Sequence, residues 1–194
     1  MTQQQKKIRK TQLNLVVGIN GTGKTTFIRE RIIPTRQKNL ILTPDEAEWQ
    51  HLPIVSTPQE IYNLQGSARM IYNSSNDLLT IQRNFYGGNL ILDDAMAYLD
   101  QQTPSTMQYI YIRRRQLGID CYIVAHGLRQ LPPKVFTFGS FLILFASTEN
   151  FSVRKKELQP TLFNKIINEQ NRLNALAEKG NPYNHTIIKL DPTI

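Results

Sequence analysis

The 194-residue chain has a single cysteine, Cys121, set within an apolar run. One thiol cannot close an internal disulfide, and this setting suits a small buried hydrophobe in a reducing compartment. Long hydrophobic runs are missing as well. The most apolar segment, Val135 to Ala146, is interrupted by Thr137, Gly139 and Ser140 and falls short of the about 20 residues that cross a bilayer. The N-terminus, Met1 to Lys10, is polar and basic with no apolar stretch behind it, so no secretory signal is expected. There is no internal repeat, no low-complexity tract beyond that ten-residue arm, and no Asn-Lys-x-Asp guanine-reading motif. A soluble, intracellular protein without a transmembrane segment is the expectation.

Acidic residues are the other shortage. Lys and Arg total 23 against 15 Asp and Glu, a net charge of +8. The excess lies in clusters: Lys6, Lys7, Arg9 and Lys10; Arg113, Arg114 and Arg115; and Arg154, Lys155 and Lys156. Such clusters favour DNA, RNA or anionic membrane surfaces. They carry none of the interleaved aromatics that stack single-stranded bases. With 40% hydrophobic residues the chain can bury a core of ordinary size.

What is present is a phosphate-binding pattern. Gly18-Ile19-Asn20-Gly21-Thr22-Gly23-Lys24-Thr25 matches G-x-x-x-x-G-K-[ST] at every fixed position. It follows the apolar run Leu13 to Val17 and opens into Thr25 to Ile33, which reads as a helix halted by Pro34. A polyphosphate needs many converging N–H donors, and a Gly-rich backbone lets the chain approach that closely. Gly18, Asn20, Gly21, Thr22, Gly23, Lys24, Thr25 and Thr26 are therefore the expected nucleotide contacts. Lys24 would reach the β- and γ-phosphates, and the Thr25 hydroxyl would join a Mg²⁺ shell.

Downstream, apolar strands alternate with helices. Strands are expected at Asn39 to Thr43, Ala68 to Tyr72, Asn89 to Asp93, Ile119 to Ala125 and Phe141 to Ala146, with Ile54 to Ser56 extending the sheet and a final edge strand at His185 to Leu190. Helices are expected from Thr57 onward, over Asn76 to Arg83, over Pro104 to Gln116, and within Lys155 to Lys179, where Pro160 delays or kinks the start. This is an α/β fold: a three-layer P-loop domain with a RecA-like parallel sheet flanked by helices. Residues 1–11 form a basic arm, 12–150 the ATPase core, and 151–194 a C-terminal segment packed on it.

The strand at Asn89 ends in two carboxylates. Asp93 at its tip suits the Mg²⁺ shell opposite Thr25, and Asp94 can polarise an attacking water as general base. Lys24 and Asp93 are about 70 residues apart, with a strand predicted between them. A further apolar strand then ends in His126, a polar tip beside the γ-phosphate and the candidate sensor. An extra strand lying between the loop strand and the acidic strand marks RecA-like ATPases.

The order of Asp-Asp strand, Arg113-Arg114-Arg115-Gln116-Leu117-Gly118-Ile119-Asp120 turn, polar-tipped strand and Leu128-Arg129-Gln130-Leu131-Pro132-Pro133 resembles the FtsK/HerA superfamily of DNA-pumping ATPases. It looks most like genome-packaging ATPases of viruses with internal membranes and their Zot-like phage relatives. His126 stands where such relatives commonly carry Gln or Ser/Thr-Gln, and Asp94 where Glu is commoner. The resemblance implies ATP and Mg²⁺ as cofactors, a homo-oligomeric ring that is usually hexameric, and duplex DNA as partner. It also implies an arginine finger supplied by a neighbouring subunit, with Arg113, Arg114, Arg115 and Arg129 as candidates. Packaging would place the chain in the host cytoplasm or at a capsid or membrane vertex. A small P-loop kinase and a Zot-like assembly or secretion ATPase using ATP as a switch are the alternatives.

Overall fold

A computed structural model describes residues 10–98, 105–149, 151–156 and 158–190, with the side chains of Val153 and Arg154 left out. Residues 1–9 of the basic arm and the expected helix start at Pro104 lie outside the described residues. Seven strands form one sheet: β1 (Leu13–Val17), β2 (Lys38–Thr43), β3 (Gly66–Ile71), β4 (Gly88–Leu92), β5 (Ile119–Ala125), β6 (Phe141–Phe145) and β7 (His185–Lys189). Their order is β3-β2-β4-β5-β1-β6-β7; all neighbours are parallel except β7, which runs antiparallel to β6 at the edge. The expected intervening strand is there: β5 lies between the loop strand β1 and the acidic strand β4.

The strands read as unbroken apolar runs because both faces are covered. Leu13, Leu15, Val17, Leu40, Leu42, Leu90 and Leu92 point into the larger core. After the short helices α1 (Lys24–Phe27) and α2 (Pro58–Tyr62), that core is closed by α3 (Ser75–Asn84), α4 (Ser105–Leu117), α5 (Pro133–Phe138) and α6 (Pro160–Glu178), which contribute Leu78, Ile110, Val135 and Ile166. The alternate residues Val16, Ile41, Ile91, Val124 and Ile143 face the other way, onto Ile28, Ile32 and Trp49. A strand with period-two side chains has no room for a solvated face in such a sandwich. Among the described residues, no helix is long and apolar enough to cross a membrane.

The segment after the loop departs from expectation. It is an α-helical turn, Lys24–Phe27, then a π-turn, Ile28–Ile32, then a 3₁₀ turn, Ile33–Thr35. Pro34 sits inside that last turn rather than beyond it. The Ile32 carbonyl, which a longer α-helix would have paired with a backbone N–H, accepts instead from Thr35 Oγ1 at 2.6 Å and Asn89 Nδ2 at 3.0 Å. Side chains have replaced the donor the helix would have used. Helix α5 is a second departure: it occupies part of the apolar run from Val135, with Gly139 and Ser140 separating it from β6. Ile54 contributes only an isolated bridge to Arg69 rather than a strand. The helix begun at Thr57 is short, Pro58–Tyr62, and its capping box is formed as the sequence suggested.

Candidate active site

Parallel strands place their C-terminal ends on one edge of the sheet, where ligands of such folds bind. Here that edge carries the Gly-rich loop after β1, Thr43 at the end of β2, Asp93 and Asp94 after β4, and His126 after β5. Between them lies a cavity of about 640 Å³, lined by Asn20, Gly21, Gly23, Lys24, Thr25, Thr26, Thr43, Asp45, Glu48, Asp93, Asp94, His126 and Tyr183 among others.

The loop is tied down at its base. Gly18 N donates to Ala125 O at 3.2 Å and Ile19 N to Ala146 O at 2.9 Å, so neighbouring strands on both sides hold its entry. Gly18 packs so tightly that a Cβ there would lie 2.5 Å from Phe145 Cβ and 2.9 Å from Thr22 Oγ1. Gly21 and Gly23 have φ of 78° and 89°, the left-handed region that turns successive N–H groups inward. Thr22 braces the turn through Oγ1 to Ile19 O at 2.7 Å. Lys24 Nζ donates to Gly18 O at 2.6 Å and Ile19 O at 3.0 Å. Burial pushes its ammonium below the ordinary lysine value, against the opposing pull of Asp93, Glu48 and Asp94.

Opposite the loop, Asp93 is buried and heavily braced. Trp49 Nε1 donates to Asp93 Oδ2 at 2.7 Å, Asp93 N donates to Leu42 O at 2.9 Å, and the Tyr98 hydroxyl donates to the carbonyls of Asp93 and Leu42. Asp93 Oδ1 accepts from the Asp94 N–H at 3.2 Å. A divalent cation bound with phosphate could be held by that carboxylate and the Thr25 hydroxyl. Among the described residues no three His, Cys, Asp or Glu side chains form a cage of their own. Asp94 has φ of 46°, an uncommon left-handed value, and its Oδ1 lies 3.5 Å from His126 Nε2. The two strand tips singled out from sequence therefore meet at the mouth of the cavity. His126 N is in turn fixed by Gln130 Oε1 at 2.9 Å.

The four arginines divide. Arg113, Arg114 and Arg115 end α4 immediately before β5 begins, which puts them at the opposite edge of the sheet. The 7 residues of β5 separate them from His126 by roughly 20 Å at a strand's usual rise. Arg114 is buried and donates to Tyr111 O at 2.5 Å; Arg113 lies over the Tyr109 ring and donates to Gln116 Oε1 at 2.6 Å. None of the three lines the cavity of its own chain. Arg129 follows His126 by three residues, at the end of the sheet that carries the site, with its backbone N bonded to Glu149 Oε2 at 2.9 Å.

The loop after β2 was not read as part of the site. Thr43, Asp45 and Glu48 line the cavity, and Arg69 on β3 straps the loop by donating to the carbonyls of Glu46 and Glu48, both at 2.6 Å. Trp49, at φ 58°, is bent back so that its indole reaches Asp93. Glu48 shares a hydrogen bond with the Asp93 carboxylate. That bond, then partial burial and the charges of Asp93, Asp45 and Asp94, push its carboxyl up to about 7. The sequence did hold a signal: Asp45, Glu46 and Glu48 directly follow a parallel strand whose end must face the loop.

No protein-family model and no curated protein matches the chain. Solved structures do. The genome-packaging NTPase B204 of Sulfolobus turreted icosahedral virus 2, in complex with AMP, superposes with a TM-score of 0.74 at 15% identity over 93% of each chain. Its complex with sulfate gives 0.71 at 16% identity, covering 94% of this chain and 93% of that one. The N-terminal domain of zonular occludens toxin from Neisseria meningitidis lies further off, with a TM-score of 0.48 at 15% identity over 72% and 79% of the chains. The chain shares the fold of the B204 packaging NTPase, an α/β P-loop fold as the sequence led us to expect.

Proposed function

We propose that this chain is an ATP-hydrolysing DNA translocase that packages a viral genome. The observation that carries the reading is the meeting of four parts at one sheet edge: the phosphate loop, Asp93, and the Asp94–His126 pair, with β5 inserted between β1 and β4. That constellation fits triphosphate hydrolysis, and the similarity in fold to a viral packaging NTPase directs it toward DNA.

The residues divide the work. The N–H groups of the loop cradle the β- and γ-phosphates, and Lys24 exchanges the Gly18 and Ile19 carbonyls for phosphate oxygens. Thr25 and Asp93 hold Mg²⁺, which when bound offsets the charge developing on the phosphates. Asp94 takes the proton of the attacking water. His126, beside Asp94, responds to the presence of the γ-phosphate and carries that state into the loop ending in Arg129. Arg129 is the finger offered to a neighbouring subunit in a ring, since it follows the sensor strand at the end of the sheet that carries the site, while Arg113 to Arg115 stand at the other. Duplex DNA is gripped through its backbone by basic surface, so binding weakens as counterions compete.

The test is steady-state ATP hydrolysis with and without long duplex DNA at low and moderate salt. Stimulation that fades as salt rises supports a DNA motor. Turnover indifferent to DNA under every condition would overturn it, and transfer of phosphate to a small acceptor would point to a kinase instead.

A further inference from the structure

Tyr183 has no evident structural task. It is 70% exposed, the most exposed of the large hydrophobic side chains among the described residues, so its ring adds little to the core. It is nonetheless held in place. The turn that carries it is fixed by Gly180 N to Ala177 O at 2.9 Å, Asn181 N to Leu176 O at 3.0 Å and Asn184 Nδ2 to Asn181 O at 3.1 Å. Next to it, His185 is packed edge-on to Phe27 with ring centres 4.8 Å apart, and lies 5.1 Å from Phe145. The ring itself lies against the loop backbone: a Cβ on Gly23 would sit 3.2 Å from Tyr183 Cδ1.

This places a flat aromatic face at the loop side of a cavity whose other aromatic ring, His126, is engaged with Asp94. Gly23, Thr26 and Tyr183 line the same cavity, so the ring stands beside the loop that would hold a nucleotide's phosphates. We infer that Tyr183 is the platform on which the base of the bound nucleotide stacks. The inference rests on the nucleotide-binding part of the function proposed above. Stacking reads π-surface rather than hydrogen-bonding edges, so purine nucleotides are favoured over pyrimidine ones and ATP and GTP bind alike.

Calorimetric titrations of ATP, CTP and inorganic tripolyphosphate, each with Mg²⁺, test this on the wild-type chain, Tyr183→Ala and Tyr183→Phe. The exposed position makes both variants tolerable to the fold. Tyr183→Ala is expected to weaken ATP about 5- to 150-fold, the range of base–aromatic stacking, while tripolyphosphate is unchanged and Tyr183→Phe keeps wild-type affinity. The preference for ATP over CTP should shrink in the alanine variant. Equal ATP affinity in wild type and Tyr183→Ala would overturn the inference while leaving nucleotide binding intact. So would equal losses for ATP and tripolyphosphate, which would make Tyr183 a support of the loop. A wild-type chain that binds none of the three ligands would sink the nucleotide site itself.

Discussion

Trp49→Phe removes one hydrogen bond at the centre of the site. Trp49 is the chain's single tryptophan, is only 4% exposed, and donates to a carboxylate that is itself 6% exposed, at 2.7 Å. A hydrogen bond to a charged group contributes about 1.5–3 kcal/mol net, and for a chain of 194 residues each kcal/mol moves the midpoint by roughly 2–4 °C. The bond alone is thus worth about 3–12 °C in Tm. Phenylalanine also leaves unfilled volume, so the hydrogen bond must be isolated by a double-mutant cycle with Asp93→Ala, in chelator-containing buffer. The coupling energy should be about 1.5–3 kcal/mol, where independent sites add to within about 0.5 kcal/mol. A second reading of the same variant is the Mg²⁺ dependence of ATP turnover. Freeing a ligating carboxylate from its hydrogen-bonding partner commonly weakens metal affinity about 10- to 100-fold, so the half-saturating Mg²⁺ concentration should rise by that order. Additive mutations together with an unmoved Mg²⁺ curve would refute the claim that the indole orients Asp93.

Asp94→Asn should leave ATP bound and slow its cleavage about 10²-fold or more, as loss of a general base does; normal turnover in single-turnover assays would move that role elsewhere. Glu48 has its folded pKa raised to about 7 from 4.5. The folded state therefore holds this proton more tightly than the unfolded one, and stability falls as pH rises through that window. Glu48→Gln should accordingly raise Tm, relative to wild type, more at pH 8 than at pH 5 in metal-free buffer, with an equal shift at both contradicting it. Gly18→Ala drives a methyl to 2.5 Å from Phe145 Cβ in β6. Such overpacking costs about 1–3 kcal/mol, and by displacing the loop it should also weaken ATP binding, which calorimetry beside thermal melts would detect.

The sheet was readable in the sequence because strands covered on both faces leave uninterrupted Leu, Ile and Val, and β1, β4 and β5 stand within a residue of where those runs put them. The order of β5 between β1 and β4 followed from the further apolar strand, tipped by His126, that comes after the Asp-Asp pair. The loop from Asp45 to Trp49 had no period to read. Its place depends on Arg69, more than 20 residues on, and on a left-handed Trp49 that no local propensity favours. Helix α5 was hidden in an apolar run too short to separate a helix from a strand by periodicity. The far placement of Arg113 to Arg115 was available in principle: residues just before a parallel strand sit at the edge away from the ligand. Tyr183 offered no signal, because its partner, Gly23, is reached only through the antiparallel return of β7 beside β6.

The most direct measurement is phosphate release from ATP with Mg²⁺ by the wild-type chain, with Lys24→Ala purified and assayed in parallel. Lys24 supplies the fixed charge at the phosphates, so wild-type turnover that disappears in Lys24→Ala and in chelator is the expected result. Equal release by the two proteins, or none from wild type across protein concentrations that allow a ring to assemble, would contradict the assignment of this cavity as an ATPase site.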